Sequence, residues 1–221
     1  MSAIEIIPTI VPAAFSDIQA VSERYANFTS LLQIDVADGK FAPNTTWLPR
    51  ENHILPSEYR YEVHLMVSDP LGIGTVFAQA GARRIIVHVE TLHDVESAKN
   101  VFTDWKRYGV ESVGLAILLH TPIEKAEPYL SLVDYVLLMT IPRIGVQGIP
   151  YDPSAPARVA EFHERCPDMR VAVDGGVSEA TIEELARAGA RSFGVGSAIA
   201  KAPDPAVAYR NLKTLAEKAT L

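Results

Sequence analysis

Asp35, His64 and Asp174 carry most of the chemical possibility in this 221-residue chain. Each sits in, or directly after, a short run rich in β-branched and apolar residues: Leu31–Val36, Arg60–Met66 and Arg170–Val173. Alternation along a strand places Leu32, Ile34 and Val36 on one face and Gln33 and Asp35 on the other. In the next run Tyr61, Val63 and Leu65 share the outward face, leaving Glu62, His64 and Met66 opposite. Two carboxylates and an imidazole suit a divalent cation, which polarises a carbonyl and stabilises the enediolate formed by deprotonating the neighbouring carbon. Carboxylates on opposite faces of that carbon serve as base and acid. Singly, each residue has a plainer explanation: Asp35 leads into an Asp38-Gly39 turn, and His64 is a satisfied core histidine. Three of them at strand ends of one fold weigh the other way.

Bringing the three together requires repeated strand–helix units. Eight runs alternate with amphipathic stretches: Ile4–Thr9, Leu31–Val36, Arg60–Met66, Arg84–Val89, Ser112–Leu118, Tyr135–Met139, Arg170–Val173 and Ser192–Val195. Their spacing of about 27 residues is that of a strand plus its crossover helix. Helices are predicted over Phe15–Tyr25, Pro70–Ala80 and Glu179–Ala188, with Gly189 as a stop, and after Asp204-Pro205. The second unit is weak, because Pro43, Pro49 and Pro56 leave room for one short helix at most. Thr9-Ile10-Val11-Pro12 after the first run holds no glycine, which argues against an open dinucleotide-binding sheet. Eight units with no linker point to one (β/α)8 barrel over residues 1–221, whose site belongs at the C-terminal strand ends.

Composition narrows the partners. The chain is 48% hydrophobic and 21% charged, with a net charge of −7, so neither a disordered chain nor a nucleic-acid surface is expected. No apolar run reaches the ~18 residues of a membrane span, and Met1–Ile10 lacks a signal-peptide pattern, so a cytoplasmic protein is expected. Cys166, the only cysteine, excludes an internal disulfide and a cysteine-built metal site. Gly175-Gly176 and Gly196-Ser197 follow the seventh and eighth runs, where barrels commonly seat a phosphate on loop amides, and Gly145 offers another amide. His53, His93, His120 and His163 read as surface groups, and Trp105 as core. Trp47 is placed over the pocket mouth or at a subunit contact, and His88 near the ligand or satisfied by Glu90.

Across these motifs the chain resembles the ribulose-phosphate 3-epimerase family. The resemblance rests on Thr9-Ile10-Val11, the run Gln33 to Asn44, Val63-His64-Leu65-Met66, Val87-His88-Val89-Glu90, Val173-Asp174-Gly175-Gly176 and Gly196-Ser197-Ala198-Ile199. It implies a ribulose-phosphate-binding barrel that interconverts ribulose 5-phosphate and xylulose 5-phosphate. The family's divalent ion (Zn, Fe, Mn or Co) would fall to Gln33, Asp35, His64 and Asp174, with both aspartates as acid/base groups. Thr9, Met66, Met139, Arg143, Gly145, Gly175, Gly176, Gly196 and Ser197 are the implied substrate contacts. A small phosphorylated sugar is the expected partner, and a homo-oligomer is in keeping with the family.

The departures sharpen the question. Gln33 stands where the family has a ligand histidine, Ala37 replaces a methionine and should enlarge the pocket, and Thr9 replaces a serine. The glycine-rich loop after the sixth strand becomes Pro142-Arg143-Ile144-Gly145-Val146, in which Arg143 is a phosphate contact or a solvated residue. A non-catalytic or altered-chemistry phosphosugar-binding barrel with an impaired metal site is therefore the alternative. A decarboxylase or aldolase would want an inward lysine, which the strand ends lack.

Overall fold

The computed structural model describes residues 3–50, 53–145 and 149–220. The strands are β1 (Glu5–Ile10), β2 (Leu31–Ala37), β3 (Arg60–Met66), β4 (Arg84–His88), β5 (Ser112–Ile117), β6 (Tyr135–Met139), β7 (Arg170–Asp174) and β8 (Ser192–Val195). All pair in parallel with their sequence neighbours, and β8 closes on β1, giving the barrel that the sequence predicts. Helices α1 (Phe15–Tyr25), α2 (Pro70–Gln79), α3 (Val95–Arg107), α4 (Ala155–Arg165), α5 (Ile182–Arg187), α6 (Ser197–Ala200) and α7 (Pro205–Ala219) accompany them. A 3-10 segment, Ile123–Leu132, takes the helix position between β5 and β6. No helix among the described residues is long and apolar enough to cross a membrane.

Local chemistry sets the helix starts. Asp69 accepts from the Gly72 amide ahead of Pro70, Asp94 from Ser97, and Asp204 from Ala206 and Val207 ahead of Pro205. The predicted Glu179–Ala188 helix is shorter, because Thr181 Oγ1 accepts from the Ser178 amide and holds the preceding residues in a turn. Gly189, at φ +121°, ends α5 as expected. The strand β4 stops one residue before the predicted end, where the 3-10 turn Val89–Thr91 begins.

Strand alternation divides the interior in two. Leu32, Ile34, Val36, Val63 and Leu65 point outward into the layer shared with Ile18, Phe77, Phe102, Trp105 and Phe162 of the helices. Inside the barrel, Ala37, Met66, Ile86, Leu137, Met139 and Ala172 form a second apolar cluster. Below it lies a polar layer. Tyr135 donates to Glu62 at 2.7 Å, Arg84 stands 3.6 Å from Glu62, and Arg84 binds Glu5 through two 3.0 Å contacts. These paired charges fill the N-terminal end of the barrel, so the site faces the C-terminal end.

The segment between β2 and β3 holds no helix among its described residues. Trp47 occupies the place of that helix, 5.3 Å from the Phe15 ring and 6.1 Å from Phe77, rather than the pocket mouth. His53 packs on Phe15 and Trp47, and His163 packs under Gly189, so both are half-buried rather than surface groups.

Candidate active site

Pairing in register sets Asp35 of β2 beside His64 of β3, and Asp174 of β7 beside Gly194 of β8. All point into the barrel, so residues far apart in sequence meet at its C-terminal end. A Cβ on Gly194 would lie 2.9 Å from Asp174 Cγ, so the missing side chain makes room for that carboxylate. Thr140 accompanies it from the end of β6, its amide and its hydroxyl each donating to the Asp174 carbonyl at 2.9 Å.

Gln33 Nε2 donates to Asp35 Oδ1 at 2.8 Å and to Asp174 Oδ2 at 2.6 Å. His64 Nδ1 faces the same two oxygens at 3.5 and 3.6 Å and makes no hydrogen bond among the described residues. Its other nitrogen, Nε2, lies 2.9 Å from Nε2 of His88, whose Nδ1 is 3.3 Å from Glu90. Glu90 in turn accepts from the Leu118 amide. Phe41 covers the His88 ring at 5.0 Å.

Charge follows from these contacts. Burial disfavours a charged His64, but Asp174 and Asp35 outweigh it and lift the imidazole to about 9. Burial pushes His88 down to about 4, and the neighbouring His64 charge adds to that. A neutral His88 therefore donates Nδ1–H to Glu90 and accepts at Nε2 from His64 Nε2–H. Burial also raises Asp35, with the Asp174 charge adding and His64 and Gln33 opposing.

A cavity of about 140 Å³ opens over the cluster, lined by Asp35, His64 and Asp174. Thr9, Met66 and Met139 also line it, as do Gly145, Gly175, Gly176, Gly196 and Ser197. Gly175 and Gly176 hold φ of +114° and +67°, conformations that turn the chain sharply after β7. Two residues expected at the site do not line the cavity. Gln33 is buried outside the cavity lining, and Arg143 is exposed and outside it as well. Val146 lies outside the described residues. Ala37 is fully buried in the interior cluster with Ala42, Met66 and Ile144 and does not itself line the cavity.

The structure adds residues that alternation could not reach. Val11, Ile141, Ile144, Ile149 and Val177 form an apolar wall, and Asn44 lines the cavity next to Gly145. These sit in irregular loops, where neither period two nor period 3.6 applies; only the isoleucines recurring around Gly145 hinted at a buried loop.

Asp35, His64 and Asp174 each offer one donor atom within 4.8 Å of the others, and could hold a metal ion. The unpartnered, buried His64 Nδ1 aimed between two carboxylates fits a divalent cation. Gln33 does not fit as the fourth ligand, because it turns its NH2 group rather than its oxygen toward the carboxylates.

A family model described as the ribulose-phosphate 3 epimerase family matches residues 5–200. Ribulose-phosphate 3-epimerase 2 of Cupriavidus necator is 32% identical, over 99% of this chain and 94% of its own. Ribulose-phosphate 3-epimerase of Schizosaccharomyces pombe is 29% identical, over 97% and 95%. Among solved structures, 3-keto-L-gulonate-6-phosphate decarboxylase from Vibrio cholerae superposes with a TM-score of 0.71 at 13% identity, covering 99% of both chains. At that identity it shows the fold alone.

Proposed function

The chain belongs to the ribulose-phosphate 3-epimerase family, and from that premise we propose that it inverts C3 of a ketopentose phosphate, interconverting ribulose 5-phosphate and xylulose 5-phosphate. The observation that carries this reading is the meeting of Asp35 and Asp174 from non-adjacent strands at one cavity. With C3 between them, Asp35 takes the proton from one face of ribulose 5-phosphate, and the C3–H electron pair moves toward the C2 carbonyl. Asp174 then delivers a proton to the opposite face, and the reverse reaction exchanges their roles. A divalent ion (zinc, iron, manganese or cobalt), held by Asp35, His64 and Asp174 when bound, supplies Lewis acidity toward the oxygens of the developing enediolate.

Burial holds Asp35 above the usual carboxylate range, which suits a group that must take a proton from carbon and give it up again. Met66 and Met139 give the carbon an apolar surrounding that excludes water. Amides at Gly175, Gly176 and Gly196, with the Ser197 hydroxyl, seat the phosphate, and Thr9 binds a sugar oxygen. Arg143 does not line the cavity, which leaves loop amides and the Ser197 hydroxyl to hold the anion in a protein of net charge −7.

One observation favours a second reading, a barrel that binds the phosphosugar without turning it over: the Gln33 amide already satisfies both carboxylates. Incubation with ribulose 5-phosphate in heavy water, with and without added Mn(II) or Zn(II), separates the two. Xylulose 5-phosphate carrying one deuterium at C3 is expected. Ribulose 5-phosphate that binds but is recovered unlabelled and uninverted under every metal condition supports the binding barrel.

A further inference from the structure

Gln33 is almost fully buried, at 1% exposure, and lies outside the cavity lining. Its one NH2 group reaches both carboxylates, and it does so at Asp35 Oδ1 and Asp174 Oδ2, the two atoms that His64 Nδ1 also faces. The amide oxygen is buried and has no hydrogen-bond partner among the described residues. We infer that Gln33 is a positioning residue that clamps Asp35 and Asp174 at ligand spacing and does not itself bind the cation. The inference rests on the cation site of the preceding section, though not on turnover.

An ionised carboxylate can only accept, so the end of the amide that faces two of them must be NH2. Its two hydrogens diverge, which lets a single group span two anions that would otherwise repel. Turning the amide over would exchange two charge-assisted hydrogen bonds for lone pairs set against two negative oxygens. A cation entering from the cavity therefore meets two carboxylates already drawn together and an imidazole nitrogen with no other partner. On the inner side it meets N–H groups, which repel it. The site then supplies three protein ligands, and the remaining coordination positions open to the cavity. An imidazole at position 33 would instead present a lone pair.

Cobalt(II) titration of the chelator-stripped protein tests this by visible absorption. Gln33→Met is expected to leave the position and intensity of the cobalt bands unchanged while weakening binding about 10–100-fold. Gln33→His is expected to shift the bands as a nitrogen ligand is added. Bands lost or shifted in Gln33→Met would make Gln33 a ligand and overturn the inference, as would an unchanged affinity. Absence of cobalt uptake by the wild type contradicts the three-ligand site as well. A measurement on unsubstituted protein covers the case in which the variants fail to fold. With side-chain nitrogen labelling, the Gln33 NH2 protons should stay slow to exchange when zinc is bound, and loss of that protection would show that the amide has left the carboxylates. None of these readouts needs catalysis. A protein that clamps the cation yet labels no carbon would end the epimerase reading and leave this one standing.

Discussion

At His64 two opposing effects meet, burial against a pair of carboxylates, and the carboxylates prevail by holding a proton on the ring up to about 9. In the metal-free protein that raised value contributes stability fully present below about 6.5 and lost as pH rises through about 9. Chemical denaturation in chelator across pH 6 to 10 should show stability falling over that window, and His64→Asn should flatten it. Metal uptake must displace the proton on Nδ1, so affinity should rise with pH over the same range. The relay through His88 to Glu90 reserves His64 Nε2–H for the core and leaves Nδ1 to the site. His88→Phe should therefore weaken cobalt binding about 10–100-fold with a native circular dichroism spectrum; unchanged affinity would make the pair mere core packing. Asp35 and His64 were legible in the sequence because period two puts both on the inward face. Gln33 was assigned correctly to that face but not to its partner. The direction of its amide depends on Asp174, 141 residues away, and no local pattern encodes that meeting.

Elements deliver these side chains, and glycine and aspartate at their ends set the tolerances. Gly194→Ala would place a methyl 3.0 Å from Asp174 Oδ2 and push the carboxylate out of line. A loss of about 10²-fold in turnover is expected together with weaker cobalt binding, while a native circular dichroism spectrum shows that the barrel is folded. Activity within a factor of two would mean that Asp174 tolerates displacement. Beyond β2, Asp38 accepts from the amides of Lys40, Phe41 and Ser68 and from the Ser68 hydroxyl. Burial, the largest single effect, opposes its charge, but those hydrogen bonds together prevail and hold it at about 2. Its contribution is present above about 3.8 and lost as pH falls through about 2, and Asp38→Ala should raise hydrogen exchange in residues 38–46 at neutral pH. The Asp38-Gly39 turn was readable from its dipeptide, with Gly39 at φ +74°. The apolar wall of Ile141, Ile144 and Ile149 was not, because loop residues carry no period and their burial is decided by what they fold against.

Across the whole molecule, closure of eight strands turns a linear spacing into a circle in which β2, β3, β7 and β8 face one another. The run spacing made that closure legible, and the alternation of outward Val and Leu with inward polar residues gave the strand faces. The lack of a helix among the described residues between β2 and β3, where Trp47 packs against α1 and α2, was foreshadowed by three prolines but not by any signal for the tryptophan's position. The charged layer of Glu5, Glu62, Arg84 and Tyr135 closes one end, leaving the other to a cavity where Asp35 and Asp174 meet. Two-base inversion across that cavity is the central claim, and it predicts a crossed pattern of solvent exchange. In heavy water, Asp174→Asn should exchange the C3 proton of ribulose 5-phosphate without inversion, and Asp35→Asn should do so only for xylulose 5-phosphate. Each variant should lose epimerisation by about 10²–10⁴-fold. Exchange of both sugars by the same variant, or epimerisation within tenfold of wild type in either, would contradict the assignment.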